Sequence, residues 1–364
     1  MKQEQQALLD LRELYGKYGY TQYKMSKFEE YDLYVRNKSF LLSDSVITFT
    51  DTNGKLMALK PDVTLSIVKN SRDIPGYVQK LYYDEHVYRI SDKTSAYKEI
   101  PQVGLECLGD IDDYCIAEVL TLAAQSLAAF DKDYILDISH MGILSLVLDR
   151  IGISENGRNA LLECVSKKDM HDAERICQEE GIAAERASLL SRLNACSGRV
   201  SDALKKLYAL FEDAEWKATV ERFDNILALL PTQNIRIDFS VINDMNYYSG
   251  IVFQGFVPTI PTDVLSGGQY DNLMARMEKK SGAIGFALYL DRLESFVSPR
   301  KKFDVDALLL YSEEDTPAQV LAAVQKLTEQ GLCVLAQKSI PERLTYRQLF
   351  KACESGVQII ETNA

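Results

Sequence analysis

Gln102 and Glu106 are the residues of this sequence best placed to hold a ligand. They lie four apart in a strand pattern, so both project from one face. An inward polar pair of this kind needs partners or a ligand, and we read it as one wall of a binding pocket. Arg89 and Arg292 could neutralise an anion. Each has a plainer alternative: Arg89 pairs with a core carboxylate such as Glu106, and Arg292 is solvated or pairs with Asp271. Tyr247 and Tyr248 are consecutive in a strand pattern and face opposite ways, so one of them packs into the core. Gly267-Gly268 reads as a tight turn, since glycine tolerates positive φ. His86, His140 and His171 are scattered and read as structural or exposed. The seven cysteines include no C-x-x-C pair, and no His stands at zinc-finger spacing from one. They are expected to be buried, reduced thiols, with no metal site.

A sheet must position these side chains. Residues 3 to 18 place Leu8, Leu11, Leu14 and Tyr15 on one helical stripe. Phe40 to Lys60 reads as a hairpin: Val46, Thr48 and Thr50 lead into Asp51-Thr52-Asn53-Gly54, and Leu56, Ala58 and Leu59 return. A short helix starts at Asp62 after Pro61. Strands follow near 78–90 and 98–108, then a helix over 112–130. From about 142 to 230 helical patterns dominate, punctuated by Gly152, Gly157, Gly181 and Gly198; this is a helical insertion in a sheet domain. Strands return at Ile235–Val241, Tyr247–Val257 and Ala283–Leu288, the last running into a helix from Asp291 to Val297. Pro299 to Lys302 is a polar linker. Residues 303–364 read strand, helix, strand, helix, strand, at Ala307–Tyr311, Pro317–Gln330, Cys333–Ala336, Tyr346–Glu354 and Val357–Ile360. That is a small α/β domain, and residues 1–300 form the larger one.

The chain has 364 residues, too many for one small domain, and 46% hydrophobic residues can fill a sizeable core. Its net charge of -12 opposes nucleic-acid binding, which draws on clustered Lys and Arg. The polar start, Met1-Lys2-Gln3-Glu4-Gln5, leads into no apolar region, so no signal peptide and no membrane span are expected. A cytoplasmic location follows.

Several segments resemble the signature blocks of class II aminoacyl-tRNA synthetases, in the histidyl branch. Leu59-Lys60-Pro61-Asp62-Val63-Thr64 is similar to that family's L-R-P-E-x-T, whose acid and Thr hold the substrate α-amino group. Tyr82 to Gly109 resembles motif 2, with an Arg on its first strand and Q-x-G-x-E on its second. Met245 to Phe253 is similar to the L-D-Y-Y-x-x-x-V-F block lining the histidine side-chain pocket. Gly267-Gly268-Gln269-Tyr270-Asp271 follows the family's G-G-R-Y-D, and Ile284 to Arg292 resembles motif 3, G-F-A-x-G-x-E-R. The resemblance they carry covers the chain from residue 5 to 298. They imply an α+β fold: an antiparallel sheet of about six or seven strands flanked by helices, and a homodimer.

The resemblance makes Asp62, Thr64, Arg89, Gln102, Glu106, Tyr247 and Tyr248 a histidine-like pocket. Arg292 and Tyr289 fall on a remnant ATP site. The departures concentrate there. Amino-acid activation builds charge on phosphoryl oxygens, which positioned cations must neutralise. The family's Arg before L-D-Y-Y is Asn243 here, and the next residue is Asp244. The motif 2 run R-H-E reads Arg89-Ile90-Ser91. The motif 3 Gly, where adenine stacks, is Tyr289, whose ring could fill that space. An amino-acid pocket kept beside lost ATP machinery suits a sensor better than an enzyme.

That combination resembles the regulatory subunits of ATP phosphoribosyltransferase, a branch of histidyl-synthetase paralogues. The resemblance implies an allosteric, non-catalytic subunit with no cofactor and no catalytic residue of its own. Its partner would be the short catalytic subunit of the first step of histidine biosynthesis, with histidine as effector. The alternative is a histidyl-tRNA synthetase with divergent motifs. The C-terminal unit looks like a shortened anticodon-binding domain. From residue 303 onward it carries nine Asp/Glu against five Lys/Arg, a net of -4, which argues against anticodon binding.

Overall fold

Leu11 and Tyr15 lose all exposure when the first helix, α1 (Gln3–Lys17), packs on the sheet. Leu8 and Leu14 flank them on the same core. The computed structural model describes residues 3–37, 46–90, 96–231, 233–242, 248–297, 302–353 and 356–363. The chain divides into two compact units, Met1–Val297 and Ser298–Ala364.

In the larger unit, β1 (Thr21–Gln22) and β2 (Phe28–Glu30) precede a short helix, α2 (Tyr31–Arg36). The expected hairpin is present over its described part. β3 (Thr48–Thr50) and β4 (Leu56–Leu59) pair antiparallel, and β2 adds to the other edge of β4. Asp51 makes the turn: its Oδ1 accepts the Asn53 and Lys55 amides, and Gly54 takes φ +81. Residues 40–45 of that reading lie outside the described residues.

α3 (Thr64–Asn70) leads to two long strands, β5 (Val78–Ile90) and β6 (Tyr97–Gly109), and then to α4 (Asp113–Ala128). β7 (Ile135–His140) opens the helical insertion. That comprises α5 (Met141–Ile151), α6 (Glu155–Ser166), α7 (Met170–Glu179), α8 (Ala184–Asn194), the two-residue β8 (Gly198–Arg199), α9 (Val200–Tyr208) and α10 (Ala214–Leu227). β9 (Ile235–Ile237), β10 (Ile251–Phe256), β11 (Leu265–Gln269), α11 (Asp271–Arg276), β12 (Gly282–Tyr289) and α12 (Leu290–Val297) complete the unit.

The main sheet has nine strands in the order β1-β5-β6-β12-β11-β10-β7-β9-β8. Its centre, β5 to β7, is antiparallel as expected. The edges differ from a purely antiparallel sheet: β1 joins β5, and β9 joins β7, in parallel. α1 and α4 cover one face, where Tyr15 meets Tyr82 at a tilt and Phe286 edge-on, and hydrogen-bonds Ser126 at 2.8 Å. The other face carries the candidate site.

Two glycines depart from their sequence reading. Gly267 and Gly268 lie inside β11 and make no turn. A side chain at Gly267 would meet Phe286 Cβ at 2.5 Å, so the glycines serve close strand packing instead.

The smaller unit holds β13 (Val305–Leu310), α13 (Pro317–Glu329), β14 (Val334–Gln337), β15 (Tyr346–Cys353) and β16 (Gly356–Thr362), in sheet order β14-β13-β15-β16. Thr316 and Gln319 form a capping box at α13. The helix expected over Tyr346–Glu354 is a strand. β15 lies between β13 and β16, so both sides of its backbone are hydrogen-bonded. Phe350 and Ala352, two apart, enter the core beneath α13.

Candidate functional site

The site begins at Lys60-Pro61-Asp62, which is laced to β5. Tyr88 N donates to Lys60 O at 2.8 Å, and Arg89 Nε donates to Pro61 O at 3.0 Å. The Lys60 ammonium is 1% exposed and pairs with the Glu85 carboxylate. Asp62 Oδ1 accepts the Leu65 amide at 2.8 Å and so starts α3. Burial raises the Asp62 pKa, opposed by that amide and by the Arg89 charge. Two residues on, Thr64 Oγ1 donates to Glu106 Oε1 at 2.7 Å.

Glu106 is 2% exposed at the centre of this face. Its second oxygen, Oε2, accepts from Tyr270 OH at 2.6 Å. Burial pushes the carboxyl up to about 8, although both hydroxyls favour its charged form. The floor beneath is bare main chain. Gly285 lies opposite Glu106, and a Cβ there would overlap Oε2; Gly268 lies beside Gly285 on the next strand. The Tyr83 hydroxyl lies over Gly104 and would overlap a Cβ there. Gln102 is 3% exposed, and its Nε2 has no hydrogen-bond partner among the described residues.

Tyr289 is paired in register with Gln102 and is buried. Its hydroxyl bonds Ser266 Oγ at 2.7 Å. The Arg292 guanidinium stacks 4.2 Å from the ring centre. Arg292 also donates to Asp263 O at 2.6 Å and pairs with Asp263 Oδ1 at 2.8 Å. Its charge is therefore met from within the chain.

The structure brings together Asp62, Thr64, Arg89, Gln102, Glu106 and Tyr289, with Arg292 against the Tyr289 ring. Neither plain ion pair forms: Glu106 takes Thr64 and Tyr270 in place of Arg89, and Arg292 takes Asp263 in place of Asp271, whose Oδ1 accepts the Ala283 amide. Tyr248 precedes β10 and is not on a strand; a Cβ at Gly268 would come to 2.6 Å of its ring. Ser91, Asn243, Asp244 and Tyr247 lie outside the described residues. Sequence reading did not assign Tyr83, Ser266, Tyr270, Asp263 or the Lys60–Glu85 pair. Strand alternation could have found Tyr83, which is two residues from Glu85 and six from Arg89 on the same face.

His140 caps α5, its Nδ1 accepting the Ile143 amide at 3.3 Å, while His86 and His171 are exposed. Cys107, Cys115, Cys164, Cys177 and Cys196 are free and buried, but Cys333 is exposed. Among the described residues no group of His, Cys, Asp and Glu could hold a metal, and no helix is long and apolar enough to cross a membrane.

A central antiparallel sheet with helices on one face and a polar, glycine-floored pocket on the other is the class II aminoacyl-tRNA synthetase fold. The sequence model of histidyl-tRNA synthetase matches residues 1–293. The chain belongs to the histidyl-tRNA synthetase family. It is 28% identical over 289 residues to the ATP phosphoribosyltransferase regulatory subunit of Oceanobacillus iheyensis, covering 78% of this chain and 71% of that one. It is also 28% identical over 295 residues to a histidine–tRNA ligase of Methanococcus maripaludis, covering 78% and 69%. Among solved structures, an ATP phosphoribosyltransferase regulatory subunit/histidyl-tRNA synthetase from Bacillus halodurans superposes with a TM-score of 0.77 at 21% identity, over 96% of this chain and 94% of that one. A chain of the ATP phosphoribosyl transferase (HisG:HisZ) complex from Thermotoga maritima superposes with a TM-score of 0.62 at 18% identity, over 78% and 96%.

Proposed function

We propose that this chain is a regulatory subunit of ATP phosphoribosyltransferase, which senses histidine and does not aminoacylate tRNA. The observation that carries the reading is the unequal state of the two halves of the site. The amino-acid half keeps Asp62, Thr64, Gln102 and Glu106 around a buried polar pocket. In the half that the family gives to ATP, Tyr289 fills space and Arg292 is neutralised by Asp263. A phosphate would have to displace that carboxylate before Arg292 could help stabilise it.

The partner in this reading is a short catalytic subunit, in a cytoplasmic hetero-oligomer that leaves the phosphoribosyl transfer to the partner. The chain would also pair with itself. A T-shaped Phe28–Phe49 contact on the small sheet, with these residues 48% and 39% exposed, leaves an apolar face there that a second copy would bury. The smaller unit is read as a shortened anticodon-binding domain that has lost that role.

The test is to mix the purified chain with a short catalytic subunit of ATP phosphoribosyltransferase. A complex with a raised rate, lowered again by histidine, is expected; no complex and no change in rate would refute the reading. The second reading, a divergent histidyl-tRNA synthetase, draws on the retained Arg89 beside Asp62. Histidine-dependent exchange of pyrophosphate into ATP would establish it.

A further inference from the structure

Glu106 presents an unusual problem of charge. Its carboxyl is buried, and each oxygen is in contact with one hydroxyl, Thr64 at 2.7 Å and Tyr270 at 2.6 Å. Among the described residues the charge acting on it is another carboxylate, Asp62, on the loop before α3. Tyr83 from β5 and Tyr270 after β11 are the titratable hydroxyls beside it, and β12 presents only the bare backbone of Gly285. A buried carboxylate with no cation is costly, and neutralisation is the usual escape. A neutral Glu106 keeps both contacts by donating in one and accepting in the other, because each hydroxyl can do either. The unpartnered Gln102 amide, four residues along the same face, shows that the pocket is built for a further polar group.

We infer that Glu106 enters the complex with a proton and shares it with the side chain of the bound amino acid. This rests on the reading of the pocket as a histidine site. The step is a simple transfer: the Glu106 O–H bond breaks, an N–H bond forms on the imidazole, and two neutral groups become a carboxylate and an imidazolium. The complex then holds one proton between the two groups, at every pH where it forms.

The pH dependence follows by counting protons. Free imidazole titrates near its ordinary value of about 6.5, and burial places the Glu106 carboxyl at about 8. Below the first value the free partners carry two protons, so binding must release one. Between the two values they carry one, and binding is proton-neutral. Above the second they carry none, so binding must take one up. Affinity is therefore flat between the two and falls by roughly tenfold per pH unit on either side.

The experiment is calorimetric titration of the full chain with L-histidine across this range. Measurements in two buffers of different ionisation enthalpy count the protons exchanged. Wild type should show proton release on the acid side, none on the plateau and uptake on the alkaline side. Glu106→Gln should keep the acid limb and lose the limb that begins near 8; loss of the ligand's own ammonium proton is common to both proteins and cancels. A second probe does not depend on the variant folding. A histidine analogue with a triazole ring, far less basic than imidazole, should lose the acid limb and keep the alkaline one. Binding of histidine without proton uptake above 8, or an unchanged alkaline limb in Glu106→Gln, overturns proton sharing alone. No histidine binding at any pH overturns it together with the histidine-site reading.

Discussion

Replacing Tyr289 with alanine would remove a buried ring, one hydrogen bond and one cation–π contact at a stroke. The ring is 6% exposed, and truncating a buried aromatic costs about 3–5 kcal/mol, cavity included. The Ser266 hydroxyl would lose its 2.7 Å partner, a term of about 1 kcal/mol. The Arg292 stacking, from a side chain 33% exposed, is nearer 0.5 than 2 kcal/mol, roughly. These overlap, because one ring makes all three, so we expect a loss of about 4 kcal/mol in the unfolding free energy of the larger unit. Urea denaturation of both proteins measures it. A loss below about 1 kcal/mol would mean that the ring is not packed as described. The second readout is nucleotide binding. Wild type should show no measurable ATP affinity by equilibrium dialysis, and Tyr289→Ala should gain weak affinity without gaining pyrophosphate exchange, because Asp263 still holds Arg292. Equal ATP binding by both proteins would refute the idea that Tyr289 closes this space.

Other changes test the remaining supports. Lys60→Met leaves Glu85 half-buried without its cation and should cost about 3 kcal/mol, whereas Lys60→Met with Glu85→Leu should recover most of that; thermal and urea melts compare them. Gly285→Ala drives a methyl into Glu106 Oε2, so histidine binding by calorimetry should fall by about tenfold or more even where the protein still folds. His140 is held neutral by burial, its pKa lowered from 6.5 to about 4. Since the folded value lies below the unfolded one, its contribution is complete above 6.5 and disappears as pH falls through 4, a loss of up to about 3 kcal/mol. A His140→Asn variant keeps an acceptor for the Ile143 amide and should lack that part of the acid destabilisation in melts from pH 7 to 4.

The fold was legible wherever local chemistry and burial agree. Asp51 and Gly54 announce a turn because both side-chain capping and positive φ are local requirements. The stripe of α1 and the long strands β5 and β6 read directly from their periods. The segment Tyr346–Cys353 did not, because its Gln, Leu, Lys and Ala suit either state, and its two flanking strands decide the matter. Gly267 and Gly268 misled for a related reason: what they answer to is a neighbouring strand, which no local pattern reveals. In the site, Gln102 and Glu106 were legible as a same-face pair. Their partners were not, since Thr64 and Tyr270 reach Glu106 across sequence gaps that the sheet alone closes.

The bare strip of Gly104, Gly285 and Gly268 has a consequence for how such a pocket can change. A floor made of main chain takes its shape from the spacing of strands, and no single substitution can deepen it. Additions there only collide. Any drift in the preferred ligand must therefore arise in the walls, at Thr64, Gln102 and Tyr270, or in what lies above them. On the proposed reading, such a pocket can lose one reaction and keep its amino acid, because the floor that would set the ligand's depth is the part least open to mutation.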